Sequence, residues 1–408
     1  MSEAEHLSSG AATGDPGFRY KQLLFINDYP PSNVAGAPII ARQLFQSYDQ
    51  KRMDVLFCGS WARSSPESFL PCRHTVVRSY TTKLRPRRFF GPIEATLNCM
   101  RLEKIMGVAR RIINERGVEV LFTTSYGAEM PHAAYFLSKE LGLPFCHFEM
   151  DRLDAYFLCR RAEKLIVRHR RDFLASASKL WLISPAMVRE YERSYGVRGE
   201  PLHHFLDPDE YQRAARDAGE RSTDKLRLVY TGSIGVMLQG TMAWLCQILN
   251  RGIEIAGRRV ELTIYSTWCP PGLAGPHVTY AGFIRSHEIP NKLAAADVTL
   301  NVSAFDAPPG FRAQVRTSVG TKTADYLASG RPMLLIAPHE AALYDYCRDV
   351  SCVVDRLDER ALRQALERLA TESHYVADLT RAGLDLVRER HSPAALDRLF
   401  LSYFRAPA

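Results

Sequence analysis

Short apolar runs alternate with helical stretches along this chain, and the alternation happens twice. KQLLFIND (from Lys21), MDVLFCGS (from Met53), HTVVRSY (from His74), VEVLFTT, LPFCHFEM and KLWLIS read as strands. Between them APIIARQLFQSY, ATLNCMRLEKIMGVARRIINERG, PHAAYFLSKELG, RAEKLIVRHRRDFLASAS and AMVREYERSYG carry helical apolar spacing. Strands of this length separated by helices mean βαβ units and a parallel sheet covered on both faces. A polar stretch, Pro201 to Lys225, interrupts the pattern. It restarts with LRLVYTG, VELTIYS, VTYAGFI, DVTLNVS, PMLLIAP and SCVVD as strands, again with helices between. The expected layout is a polar disordered tail over 1–17, a first Rossmann-like domain over 18–205 and a linker over 206–224. A second Rossmann-like domain occupies 225–391, then a C-terminal helix 392–408.

A chain of 408 residues is long for one core and suits about two domains. Its 46% hydrophobic and 24% charged content excludes wholesale disorder. No apolar run approaches the roughly 20 residues of a membrane-spanning helix. The opening MSEAEHLSSGAATGDPG lacks the apolar segment of a secretory signal, so a cytoplasmic protein is expected. Residues 1–200 hold 29 Lys+Arg against 21 Asp+Glu, whereas 201–408 hold 24 of each. The basic half points to an anionic partner such as a membrane face or a phospholipid-linked substrate. No recognised nucleic-acid module accompanies it. The nine cysteines form no C-x-x-C pair and read as buried small hydrophobes.

The most informative segment is SVGTKTADYLASGRPMLL, from Ser318. Thr321 is placed to cap a helix from Lys322 to Ser329, with Gly330 as the left-handed stop and Pro332 blocking continuation. The backbone amides of Ser318, Val319 and Gly320, with the positive end of the helix, suit a phosphate. Lys322 adds a charge at that end. Asp325 lies one turn further in and suits a ribose diol. A surface Lys–Asp pair on an ordinary capped helix is the plain alternative.

T-K-T-A-D-Y-L-A-S-G-R-P resembles the tK-x-x-E-Y-x-A-x-G-x-P signature of GT-B glycosyltransferases, in particular glycosyltransferase family 4. YPPSNVAGAP resembles that family's first loop, LHHFLDPDEY its N-G-V-D-x-x-x-F linker, and LRLVYTGSIGVMLQG the first strand and loop of its second domain. VTYAGFI and LAAADVTLNVSAF resemble the family's next stretch. The resemblance covers nearly the whole chain from Tyr20. It implies a GT-B fold: two Rossmann-like doubly wound domains facing across a cleft. It also implies a metal-independent glycosyltransferase that needs no cofactor. The donor would be a UDP- or GDP-sugar, and the acceptor a sugar or a lipid-linked hydroxyl in glycolipid or surface-polysaccharide synthesis. Donor contacts in this reading are Gly36 in the first loop, approaching the donor sugar, Gly232 and Ser233 in the loop after the second domain's first strand, Phe283 and Ile284 near the base, Ser318, Val319, Gly320 and Thr321 on the diphosphate, and Asp325 on the ribose. The C-terminal helix is implied to cross back to the first domain. The chain departs from the pattern at Thr317, where Glu is frequent, and at Val236 and Gln239, where the family carries Arg and Lys. Phosphate charge is then left to Lys322, Arg316, Arg312 or Arg285.

Three residues are candidates for deprotonating an acceptor hydroxyl: Asp28 and Asp151, each following a strand, and His132 at a helix start. Each also suits a cap, a loop ion pair or a structural role. His147-Phe-Glu149 lacks the P-C-x-x-C of a zinc deaminase, and Asp207-Pro-Asp209 sits in the polar stretch and reads as a turn. No metal site is expected. Lys83 to Phe90 mixes cations with aromatics and suits a peripheral membrane contact or a solvated loop. The same fold also accommodates a sugar-nucleotide epimerase, a phosphorylase or a non-catalytic binding module.

Overall fold

The computed structural model describes residues 17–33, 36–58, 66–77, 91–125, 129–151, 169–219 and 222–408. Residues 1–16 of the tail expected over 1–17, and the basic loop 83–90, lie outside the described residues. Contacts divide the chain into two units. Unit 1 holds residues 1–182, 191–202 and 396–408, and unit 2 holds 183–190 and 203–395.

Unit 1 contains β1 (Phe18–Tyr20), β2 (Leu23–Asn27), β3 (Met53–Cys58), β4 (Arg73–Val77), β5 (Val120–Thr124), β6 (Phe145–Glu149), β7 (Lys179–Leu182) and β8 (Glu200–Pro201). Seven of them form one parallel sheet in the order β4-β3-β2-β5-β6-β7-β8. Every residue of β2, β3, β5 and β6 is buried. That is why these strands read as continuous apolar runs rather than alternating ones.

Unit 2 contains β9 (Lys225–Thr231), β10 (Glu254–Ile255), β11 (Arg258–Tyr265), β12 (Val278–Gly282), β13 (Val298–Val302), β14 (Met333–Ile336) and β15 (Cys352–Val354). The parallel order is β12-β11-β9-β13-β14-β15. Both sheets therefore follow the 3-2-1-4-5-6 order of a doubly wound Rossmann sheet. Successive side chains of β9 enter opposite layers: Leu228 and Tyr230 join one core cluster and Val229 the other. β10 pairs antiparallel with β11 through Ala256 and Gly257, both at positive φ (52° and 74°). Consecutive left-handed residues are what a tight two-residue hairpin requires.

Two local expectations change. Within the polar stretch, Pro208–Asp217 is a helix, with Tyr211 and Ala214 on its buried face. Asp207 caps it, its Oδ1 accepting from the Asp209 amide at 3.0 Å, so the D-x-D is a helix start rather than a turn. At the other end, the helix expected through residue 408 stops at Leu399. A short 3-10 turn, Leu401–Phe404, and β16 (Arg405–Pro407), which pairs antiparallel with β1, complete the chain. Aromatic burial explains the break: Phe400 and Phe404 pack 4.9 and 6.0 Å from Trp181, and 5.5 and 6.1 Å from Phe122. The Trp181 indole donates to the Leu399 carbonyl at 3.0 Å.

Candidate functional site

In each sheet the strand order reverses beside its first strand, between β9 and β13 in unit 2 and between β2 and β5 in unit 1. Open α/β sheets bind ligands outside the carboxyl ends of their strands at such switch points. Of the residues singled out from the sequence, Gly232 and Ser233 follow β9 and Asp28 follows β2, whereas Phe283 and Ile284 follow the edge strand β12, Asp151 follows β6, and His132 lies on the helix Glu129–Leu141.

In unit 2, β9 ends at Thr231 and the chain turns at Gly232, whose φ of 114° favours glycine. The Gly232 amide donates to the Tyr265 carbonyl at 2.8 Å, and the Ser266 amide to the Gly282 carbonyl at 2.9 Å. These bonds join the carboxyl ends of β9, β11 and β12. Ser233 is exposed there, Phe283 is 68% exposed and Ile284 is half-buried.

The segment Ser318 to Thr321 leads into the helix Lys322–Ala328. Thr321 has helical backbone angles and its side chain makes no capping bond, contrary to the expectation from sequence. Val319 packs its side chain into the core, leaving only its backbone for a ligand. Seven residues make a short dipole, because the macrodipole is a sum over aligned peptides. The main positive charge at this point is therefore the Lys322 ammonium.

Lys322 Nζ donates to the Tyr230 hydroxyl and lies 4.2 Å from the centre of that ring. A Cβ added to Gly232 would sit 3.8 Å from Nζ, and one added to Gly320 would sit 3.8 Å from Cε. Two glycines and one ammonium thus converge, which lets a ligand approach closely. Among the described residues no carboxylate forms an ion pair with Lys322, and loss of solvent around the amine pushes its pKa down. An amine held this way gains from an anion, and none of the described residues supplies one. Arg312 and Arg316 lie on the preceding helix, Arg312–Thr317, both exposed, and Arg285 is exposed beyond β12.

Asp325, one turn on, accepts from the Tyr211 hydroxyl at 2.5 Å. Burial pushes its carboxyl up to about 6, against the lowering effect of that bond. The Tyr326 hydroxyl accepts from the Thr231 amide at 2.8 Å and donates to the Thr231 carbonyl at 2.9 Å, fixing the helix to the end of β9. Sequence reasoning missed all three tyrosine roles. Each tyrosine lies in a segment that carries the family resemblance (LHHFLDPDEY, LRLVYTGSIGVMLQG and TKTADYLASGRP). Their partners are 92 to 114 residues away, which no local pattern reveals.

In unit 1, Asn27 donates to Thr124 Oγ1 at 2.7 Å, and the Tyr29 hydroxyl meets the same atom at 2.8 Å. These bonds tie the ends of β2 and β5 around Asp28. The Cys58 thiol points at Asp28 Oδ1 at 3.6 Å, while Asp28 Oδ2, Asn27 Oδ1 and Ser32 Oγ are buried without a hydrogen-bond partner. Burial, with the nearby Glu129 charge, pushes the Asp28 carboxyl up to about 8. Asp151 is half-buried after β6, its amide donating to Ser125 Oγ at 3.2 Å. The His132 ring stacks on Phe173 at 5.4 Å, inside an aromatic cluster. Gly36 is exposed at positive φ (49°) and opens the helix Gly36–Phe45.

The H-x-E pair has a structural role. His147 Nε2 lies 2.7 Å from Glu149 Oε2, and Arg170 and the Tyr191 hydroxyl both donate to Oε1. Burial pushes Glu149 up, but Arg170, His147 and Tyr191 outweigh it and hold the carboxyl below its usual range. Among the described residues no three His, Cys, Asp or Glu side chains group as metal ligands would. Nor is any described helix long and apolar enough to cross a membrane.

Compared by sequence, the chain matches no protein-family model and no curated protein. Compared by structure, it is similar to sucrose-phosphate synthase from Thermosynechococcus elongatus, at 15% identity and a TM-score of 0.67 over 94% of this chain and 98% of that one. It is also similar to a glycosyltransferase from Rickettsia africae, at 10% identity and a TM-score of 0.67 over 95% of this chain and 98% of that one. HepE from Anabaena, solved in complex with UDP and glucose, matches at 12% identity and a TM-score of 0.64 over 94% of this chain and 99% of that one. The chain has the GT-B fold.

Proposed function

We propose that this chain is a glycosyltransferase that moves a sugar from a nucleoside diphosphate sugar to an acceptor hydroxyl. The observation that carries the reading is Lys322: a half-buried ammonium beside two glycines, at the switch point of a Rossmann sheet, with no carboxylate partner among the described residues. A diphosphate supplies the missing charge. Asp325 takes the ribose hydroxyls through the oxygen that Tyr211 leaves open, and Phe283 offers its exposed ring to the base. Anabaena HepE was solved with UDP and with UDP-glucose, which favours a uridine donor over a guanosine one.

The acceptor is assigned to unit 1, with Asp28 as general base. As the acceptor oxygen bonds to the anomeric carbon, its proton passes to the Asp28 carboxylate. The bond from that carbon to the β-phosphate oxygen breaks, and Lys322 holds the charge on the departing diphosphate. Asp28 is preferred to Asp151 and His132 because its carboxyl is raised to about 8 and one oxygen has no partner. A base is most effective when its pKa lies near the working pH. The basic first half favours an acceptor on an anionic carrier, as in glycolipid or surface-polysaccharide synthesis on the cytoplasmic face of a membrane.

A thermal-shift panel of nucleoside diphosphates and their sugars, followed by measurement of nucleotide release with candidate acceptors, tests the reading. Stabilisation by a nucleoside diphosphate and acceptor-dependent release are expected. No shift with any nucleotide would leave a GT-B module without donor chemistry.

A further inference from the structure

The Tyr230 hydroxyl has two partners that no local sequence rule connects. It donates to the Ser233 carbonyl at 2.9 Å, and it accepts from Lys322 Nζ. One atom therefore joins the loop after β9 to the cation at the start of the helix Lys322–Ala328. The ring is fully buried in the core of unit 2, so the hydroxyl has a fixed position.

We infer that Tyr230 is a positioning residue for the donor diphosphate, holding the Lys322 ammonium at the glycine loop. This rests on the assignment of the nucleotide to Lys322. A long lysine side chain has many rotamers, and ordering it on binding costs entropy. A fixed acceptor removes that cost in advance. A carboxylate would hold the amine more firmly but would cancel its charge. A neutral hydroxyl holds it and leaves the charge for the ligand. The departure from the family pattern makes this relevant, because Gly232 to Gly240 carries no Lys or Arg. A site with one well-placed cation depends on the exact position of that cation.

Among the described residues two titratable groups face Lys322: Tyr230 from β9 and Tyr326 from its own helix. From the helix Pro208–Asp217, Tyr211 is engaged by Asp325, and from β13 the neutral Asn301 bonds Thr323. Accepting a bond from the charged amine favours its protonated form, opposing the lowering effect of burial. Loss of the Tyr230 hydroxyl therefore lowers the Lys322 pKa further.

The test is Tyr230→Phe, which keeps the buried ring, compared with wild type and Lys322→Ala. Affinities for UDP, GDP, uridine and guanosine are measured by calorimetry from pH 6 to pH 10. Tyr230→Phe should bind whichever diphosphate binds wild type about tenfold more weakly. It should leave nucleoside affinity unchanged and move the alkaline loss of diphosphate affinity to lower pH. If Lys322→Ala weakens diphosphate binding but Tyr230→Phe does not, Tyr230 does not position the amine. The inference is also overturned if Tyr230→Phe weakens nucleoside and diphosphate equally with no movement of the alkaline limb, because the hydroxyl then only shapes the loop. If Lys322→Ala itself binds diphosphate like wild type, the donor assignment fails and the inference fails with it.

Discussion

The Tyr211 hydroxyl donates to Asp325 Oδ1 at 2.5 Å, bridging 114 residues of chain and tying the helix Pro208–Asp217 to the helix Lys322–Ala328. The bond leaves Asp325 one free oxygen for a ligand. Burial still raises the carboxyl from 3.8 to about 6. A folded-state value above the unfolded one means that the native protein holds this proton more tightly. The contribution to stability is then complete below the unfolded value and is lost as pH rises through about 6. Asp325→Asn should therefore be more stable than wild type at pH 8, by up to about 3 kcal/mol, and much closer to it at pH 4. Urea denaturation at the two pH values measures this, and an equal difference at both would contradict it.

Asp28→Asn should lower sugar transfer by about 100-fold or more. Nucleotide affinity should not change, because Asp28 lies in unit 1 and the residues assigned to the diphosphate and ribose in unit 2. With a carboxyl raised to about 8, the wild-type rate should climb with pH through that value. A pH–rate profile flat from 6 to 9, or an active Asp28→Asn, would remove Asp28 from the chemistry.

Phe283→Ala should weaken nucleoside diphosphate binding by about 1–3 kcal/mol, the range for stacking of a base on an aromatic ring. Thermal stability without ligand should not change, since the ring is 68% exposed. Equal affinities by calorimetry would place the base elsewhere.

These sites were legible in the sequence to different degrees, for physical reasons. The ends of β2 and β9 were readable because buried strands stand out as apolar runs, and the polar loop after each run marks a carboxyl end. The helix at Lys322 was readable from Gly330 and Pro332, although Thr321 does not cap it. The pairing of Tyr211 with Asp325 and of Tyr230 with Lys322 was not readable, because tertiary packing sets both. The helix at Pro208 was hidden by its polar composition, with only Tyr211 and Ala214 buried. The closing strand Arg405–Pro407 was hidden because its partner β1 lies at the other end of the chain.

Arg170→Met should destabilise the protein by about 3–5 kcal/mol, because it leaves Glu149 buried with its main counter-charge gone. Glu149→Gln combined with Arg170→Met should recover much of that loss. Chemical denaturation of wild type and the two variants decides it. A single variant as stable as wild type would mean that this buried network adds nothing to unit 1.

Titration calorimetry of UDP, GDP and UDP-glucose with wild type and Lys322→Ala bears most directly on the donor site. Saturable binding by wild type, weakened at least about tenfold in the variant, is the expected result for loss of a charged hydrogen-bonding partner. Equal affinities in the two proteins would show that the nucleotide does not bind at Lys322.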